Sequence, residues 1–272
     1  MGVKTSLTLE KANLLFKEYS FERIVPSKDG ISDTTYLAFS SVGGYVIKYY
    51  ESARQEEIDA EEELLKSLYN HGLKVNSVLA ESENSRRWKL FSYIDGKSIL
   101  RPNFVEIRQI AIFLAKMHRF TKADRSVKNV FDAKKIKEEL QIVKRENIKV
   151  YHQIKELEQM SFSDKIGIIH GDLFTDNAKF VSNRLSGVFD FVESGRGSII
   201  QDVGVTALSW TSGSLAKRNY FLNCYNSASK VKLSRKELKS GMHFGALYYA
   251  MSRFNGQKLD YRELLKKCRD LV

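Results

Sequence analysis

The spacing of apolar residues changes character partway along this chain. Residues 34–40 and 45–50 are rich in aromatic and β-branched side chains, as strands are. The "SVGG" between them predicts a hairpin, with Gly43 and Gly44 giving the turn its backbone freedom. Helical spacing runs over 9–19 and 55–70, and "WKLFSYIDG" at 88–96 reads as a strand entering a turn. From about residue 101 the pattern turns helical, over 103–120, over much of 132–160 and again from about 202. A strand pair around "AKFVSNRLSGVFDF" interrupts it. These elements predict an α+β protein of two lobes: a small N-terminal β-sheet lobe over 1–94, and a larger, mainly helical C-terminal lobe over 95–272. A length of 272 residues suits that plan.

An apolar share of 43% and a charged share of 28% are those of an ordinary soluble globular chain. Cys224 and Cys268 lack CxxC spacing, and the five histidines are scattered, so neither a disulfide framework nor a zinc site is expected. Apolar runs such as "QIAIFLA" at 109–115 are too short to span a bilayer, and no signal-peptide pattern opens the chain. The expectation is a cytoplasmic protein without a membrane partner. "MGVKTS" fits the N-myristoylation pattern, but so short a motif carries no expectation by itself. The net charge of +11 is spread along helix faces beside glutamates, as in "KKIKEELQIVKRE", so no nucleic-acid partner is expected.

Candidate chemistry concentrates in "IIHGDLFTDNAKF" at 168–180, a polar loop between two apolar runs. Its spacing is His170-Gly171-Asp172-Leu173-x-x-x-Asn177, and Asp190 follows on the next strand in "GVFDF". A kinase catalytic loop has this spacing, with the metal aspartate after a short hairpin. In that reading Asp172 orients the attacking hydroxyl and accepts its proton, while Asn177 and Asp190 offer hard oxygens to Mg²⁺ on the phosphates of ATP. An Asx-rich turn would explain the loop alone. Other residues decide between the two readings. Lys48 lies inside the apolar strand "YVIKYY", where a lone ammonium is costly. At 100° per residue Glu61 falls on the centre of the apolar face made by Ile58, Leu64, Leu65, Leu68 and Tyr69, with Glu62 at its edge and Glu63 opposite. A Lys48–Glu61 pair satisfies both, and such a pair holds ATP phosphates in kinases. Backbone and hydroxyl donors from Gly30, Ser32, Asp33 and Thr34 are expected over the phosphates. The backbone between Ser92 and Ile94 falls where a connector between lobes would bind adenine.

"HGDLFTDN", "LSGVFDF", "QDVG" and "LAKMH" together resemble the aminoglycoside-phosphotransferase-like kinases, which share the protein-kinase-like fold. Within them the chain is most similar to bacterial homoserine kinases, over nearly its whole length. The resemblance implies ATP- and Mg²⁺-dependent phosphorylation of a small-molecule hydroxyl, that of homoserine, as in threonine biosynthesis. It implies that Asp202 braces the catalytic loop and that His170 orients it. A zwitterionic acceptor needs one anion and one cation beside Asp172, for which Asp176, Glu193, Arg196 and Arg253 are candidates. An aminoglycoside, choline or a sugar is the alternative acceptor, and a kinase-shaped binding protein without turnover is the second alternative. Residues 191–272 hold six acidic residues against fourteen Lys and Arg, a poor lining for a polycationic aminoglycoside. His118 is expected to be a satisfied core histidine, and Trp210, Tyr248 and Tyr249 to be core.

Overall fold

The computed structural model describes residues 4–27, 33–83, 85–121, 128–256 and 260–271. The chain divides into two compact units, Met1–Gly96 with Ser186–Val192, and Lys97–Leu185 with Glu193–Val272. An antiparallel sheet makes up much of the first unit, and the second unit is mainly helical.

The first unit opens with α1 (Leu9–Leu15), capped by the Thr8 hydroxyl, which accepts from the Lys11 amide. This helix ends at Phe16, short of the expected residue 19. Its Ala12 and the following Phe16 pack on Tyr36, Ala38, Ile47, Trp88 and Leu90 of the sheet. Next come β1 (Arg23–Pro26), β2 (Thr34–Ser40), β3 (Gly43–Tyr49), α2 (Gln55–Asn70), β4 (Val78–Ser82) and β5 (Ser85–Ser92). The strands form one antiparallel sheet in the order β1-β2-β3-β5-β4. In the β3–β5 register Lys48 stands opposite Lys89.

Helix α2 starts where the Glu57 carboxylate accepts from the Arg54 amide at 2.8 Å, and it ends in Gly72, whose φ of 73° a glycine adopts freely. It buries Ile58, Leu65 and Leu68, each contributing about 1.5–3 kcal/mol. Glu61 is buried among them and Glu63 is exposed, as the helical spacing requires. Tyr69, expected on the same face, is instead 62% exposed near the helix end. Beneath the helix, the fully buried Lys89 ammonium is held by Glu62 at 2.8 Å and Glu81 at 2.6 Å. Ser186–Val192 joins this unit because the Val188 amide donates to the Lys74 carbonyl at 2.9 Å. Gly187 fits because a Cβ there would lie 2.8 Å from the Ile94 side chain.

The second unit contains α3 (Phe104–Phe120), capped by Asn103, then α4 (Ala133–Glu146) and α5 (Ile148–Ile154). The helical pattern expected over much of 132–160 is thus carried by two helices. Asn147 ends α4 with φ −155° and caps α5 by accepting from the Val150 amide. Strand β6 (Ile166–Ile169) leads into the polar loop, and β7 (Ala178–Val181) follows it. Strand β8 (Arg184–Val188) pairs with β7 across Ser182 and Asn183, both at positive φ as a tight hairpin turn demands. Strand β9 (Gly195–Ser198) lies antiparallel to β6. Helices α6 (Ile199–Trp210), α7 (Leu215–Ala228), α8 (Arg235–Gly256) and α9 (Tyr261–Arg269) complete the unit. Helices α6 and α8 meet at Gly204 and Gly241, where a Cβ on Gly204 would sit 2.0 Å from the Gly241 carbonyl carbon. Among the described residues no helix is long and apolar enough to cross a membrane.

Candidate functional site

Each unit carries one cluster of the residues singled out from the sequence. In the first unit, alternation along β3 puts Lys48 and the following Tyr50 on one face of the sheet. The Lys48 ammonium is 4.7 Å from the Tyr50 ring centroid. It reaches Asp190 Oδ1 at 3.1 Å and Asp33 Oδ2 at 3.3 Å. Glu61 is 4% exposed and takes different donors: the Tyr50 hydroxyl at 2.7 Å and the Phe191 amide at 3.2 Å. The expected bonded pair of Lys48 with Glu61 is thus corrected. Glu61 acts on Lys48 through its charge, while the contact ion pairs run to Asp33 and Asp190.

Electrostatics follow this arrangement. Burial disfavours the Lys48 ammonium, yet Asp190, Glu61 and Asp33 outweigh it and hold its pKa well above the usual lysine range. Burial raises the Glu61 carboxyl, and the nearby Lys48 charge offsets only part of that rise. One ammonium faces three carboxylates, an excess of anionic charge that suits a divalent cation. Asp190 adopts φ 65°, a left-handed conformation uncommon for a residue with a side chain and typical of strained functional positions.

The donors expected over phosphates are placed otherwise. Gly30 and Ser32 lie outside the described residues. The Asp33 carboxylate accepts from the Glu51 amide at 3.1 Å and faces Lys48, so its side chain brings negative charge to that place. The Thr34 hydroxyl is fully buried, accepts from the Lys4 and Thr5 amides at 2.9 Å each and donates to Glu51 at 2.6 Å. It is committed to holding the chain. Ser92 pairs with Ser77 by amide to carbonyl at 2.9 Å, and its hydroxyl accepts from the Ser77 amide at 2.8 Å. Ile94 packs over Gly187.

In the second unit the loop after β6 is pinned by a residue of α6 that α3 braces in turn. Asp202, near the start of α6 and fully buried, accepts from the amides of His170 at 3.0 Å and Gly171 at 2.8 Å, and from His118 Nε2 at 2.9 Å. The other nitrogen of His118 bonds the Tyr225 hydroxyl at 2.9 Å, so this α3 histidine is satisfied in the core as expected. Burial would raise the Asp202 carboxyl, but the bond from His118 and the neighbouring donors overcome it and bring the pKa below the usual range. His170 is fully buried, and its Nδ1 accepts from the Asp172 amide at 3.3 Å. Gly171 takes φ 81°, and a Cβ there would meet the Glu193 carbonyl at 2.9 Å.

Asp172 is partly exposed at the loop's tip. The Asn177 amide nitrogen donates to the Asp172 carbonyl at 2.7 Å and to its carboxylate at 3.1 Å. This fixes the Asn177 amide so that its Oδ1, to which no hydrogen bond runs among the described residues, is left as an acceptor. Spacing alone missed three supports of the loop. Trp210 Nε1 donates to the Leu173 carbonyl at 3.0 Å, Ser209 Oγ accepts from the Thr175 amide at 3.1 Å, and the Tyr249 hydroxyl donates to the Gly171 carbonyl. Burial and the Asp172 charge raise the Tyr249 phenol well above its ordinary range. The polar tips of Trp210 and Tyr249 were a signal, since buried indole N–H and phenol groups need partners.

The four acceptor-site candidates differ in setting. Asp176, Glu193 and Arg196 are all exposed, and Glu193 is held by Lys128 at 2.8 Å. Arg253 lies one turn beyond Tyr249 on α8, its guanidinium 5.9 Å from the Phe174 ring centroid. Among the described residues no three His, Cys, Asp or Glu side chains form a ready-made metal cage. Asn177 in the second unit and Asp190 in the first each carry a hard oxygen of the kind Mg²⁺ takes.

Residues 23–221 match the phosphotransferase enzyme family. The homoserine kinase of Methylobacillus glycogenes is 22% identical over 278 residues, covering 94% of this chain and 87% of that protein. The homoserine kinase of a Janthinobacterium species is 24% identical over 241 residues, covering 77% and 72%. Among solved structures, an ADP-bound aminoglycoside phosphotransferase superposes with TM-score 0.66 at 18% identity, over 97% of each chain. Choline kinase from Cryptosporidium parvum superposes with TM-score 0.67 at 14% identity, over 92% of this chain and 89% of that one.

Proposed function

The chain belongs to the phosphotransferase enzyme family, and from that premise we propose that it phosphorylates the side-chain hydroxyl of homoserine with ATP. The observation that carries the phosphoryl-transfer reading is the loop of the second unit, where Asp172 is held by Asn177 and braced by Asp202. The homoserine kinases matched over most of their length support the acceptor. Lys48 binds nucleotide phosphates, and Glu61 and Tyr50 fix the face of β3 that presents it. The backbone between Ser92 and Ile94 binds adenine. Asn177 and Asp190 would each offer Mg²⁺ a hard oxygen, and the ion would neutralise charge on the phosphates.

Asp172 then does the chain's own chemistry. Its carboxylate accepts a hydrogen bond from the acceptor hydroxyl, aims that oxygen at the γ-phosphorus and receives its proton as the new bond forms. Asn177, by holding the carboxylate and the carbonyl of Asp172 together, keeps that oxygen oriented. Arg253 binds the acceptor's carboxylate and Glu193 its ammonium, with Asp176 and Arg196 as the further candidates. An ADP-release screen over homoserine, choline, sugars and aminoglycosides tests the reading. Turnover of homoserine, with phosphate found on its side-chain oxygen, is the expected result. Turnover of an aminoglycoside with none of homoserine would overturn the acceptor and leave the chemistry standing. No turnover with any acceptor would favour a binding protein of the same fold.

A further inference from the structure

We propose that Asp33 is an internal competitor for Lys48, a fixed carboxylate that weakens the grip on nucleotide phosphates while keeping the lysine aimed. The inference rests on the nucleotide-binding reading above and extends it. Lys48 is 9% exposed and would be costly to bury without counter-charge. Two carboxylates meet its ammonium, Asp190 at 3.1 Å and Asp33 at 3.3 Å. They are not equivalent. The Asp190 side chain is 39% exposed, whereas that of Asp33 is 7% exposed.

Asp33 is also tethered. Its second oxygen accepts from the Glu51 amide at 3.1 Å, and the Glu51 carboxylate takes the hydroxyl of Thr34, the next residue, at 2.6 Å. A carboxylate held on both sides cannot move far when another anion arrives. Phosphate oxygens approaching Lys48 must therefore share its ammonium with Asp33 and meet a like charge a few ångströms away, in a place poorly screened by water. The arrangement exchanges affinity for readiness: the lysine stays charged, ordered and aimed before any nucleotide is present.

Titration calorimetry on the full chain tests this, with ADP and adenosine as probes, first in EDTA and then with Mg²⁺. Asp33→Asn keeps the shape and an oxygen for the Glu51 amide but removes the charge. It should bind ADP about tenfold more tightly than the wild type under both conditions, with adenosine unchanged because it carries no phosphate. Asp33→Ser, also able to accept from that amide, should shift ADP binding in the same direction and serves if the first variant does not fold. Adding Lys48→Met should abolish the gain. Unchanged or weaker ADP binding by folded Asp33 variants would overturn the proposal and make Asp33 a tether. Weakening confined to Mg²⁺ would overturn it in favour of a metal ligand. A wild type that binds no ADP would overturn both this inference and the nucleotide reading on which it rests.

Discussion

Glu61 in the first unit and Asp202 in the second are both buried carboxylates, yet their acidities are displaced in opposite directions. Burial pushes Glu61 up, and the Lys48 charge recovers only part of the loss. Asp202 is buried more completely and still lies below the usual aspartate range. The difference lies in the donors. Asp202 receives three N–H groups, two of them backbone amides that the fold fixes in place. Glu61 receives one phenol and one amide, and its nearest cation is bonded to other carboxylates. The number and rigidity of donors, not depth, decide whether a buried carboxylate is comfortable as an anion. The loop carrying Asp172 is thus built on a settled charge, whereas the cluster around Lys48 carries an excess of negative charge that a ligand's cation can settle.

The largest expected effect breaks the second cluster at its tip. Asp172→Asn removes the base while keeping shape, so kcat should fall by about 10²–10⁴-fold with ATP binding retained. Near-normal kcat in a folded variant would refute the role of Asp172. Next comes Asp202→Asn, which turns an amide NH₂ toward N–H donors and leaves buried donors unpaired. It should cost about 3 kcal/mol in urea unfolding. The cost should shrink in acid, because the lowered pKa makes the stabilisation from Asp202 complete above about pH 4 and lost as pH falls below it. Glu61→Gln should show the reverse slope. The raised pKa of Glu61 gives stability that is present in acid and declines as pH rises above the ordinary glutamate value, so this substitution should cost less at pH 7 than at pH 4. Parallel slopes for the two variants would erase the contrast between the clusters. The smallest effect is Tyr50→Phe, which deletes one donor to Glu61 and should destabilise by about 1–2 kcal/mol.

Local patterns carried much of this structure in the sequence. Helix α2 matches the 55–70 expected from helical spacing, and the placing of Glu61 inside and Glu63 outside follows from the same spacing. The loop from His170 to Asn177 was legible because its residues lie within one short segment. Contacts between distant segments were not. Periodicity shows that Lys48 needs an anion but not which one, and Asp33 becomes its partner only through the pairing of β2 with β3. Tyr249 was read as core because its ring is apolar, while its hydroxyl meets a carbonyl 78 residues earlier. The break at Asn147 was not placed because the apolar spacing of α4 and α5 hides a residue that caps both. For Thr34, the residue type was right for a donor, but its side chain had been claimed by the N-terminal segment and Glu51.

The three-way bond of Asp202 also sets an order of events when the chain folds. Its carboxylate joins the loop 32 residues before it to His118, 84 residues before it, and His118 in turn meets Tyr225 across 107 residues. Closures of that span are entropically slow compared with forming a helix or hairpin. Strand β6 and helix α6 can each form early, yet the loop between His170 and Asn177 gains its shape only after α3, α6 and α7 have met. In refolding, helical signal should therefore return before catalytic competence. A pulse of protease in that interval should cut near Asp172 before it cuts anywhere in α6.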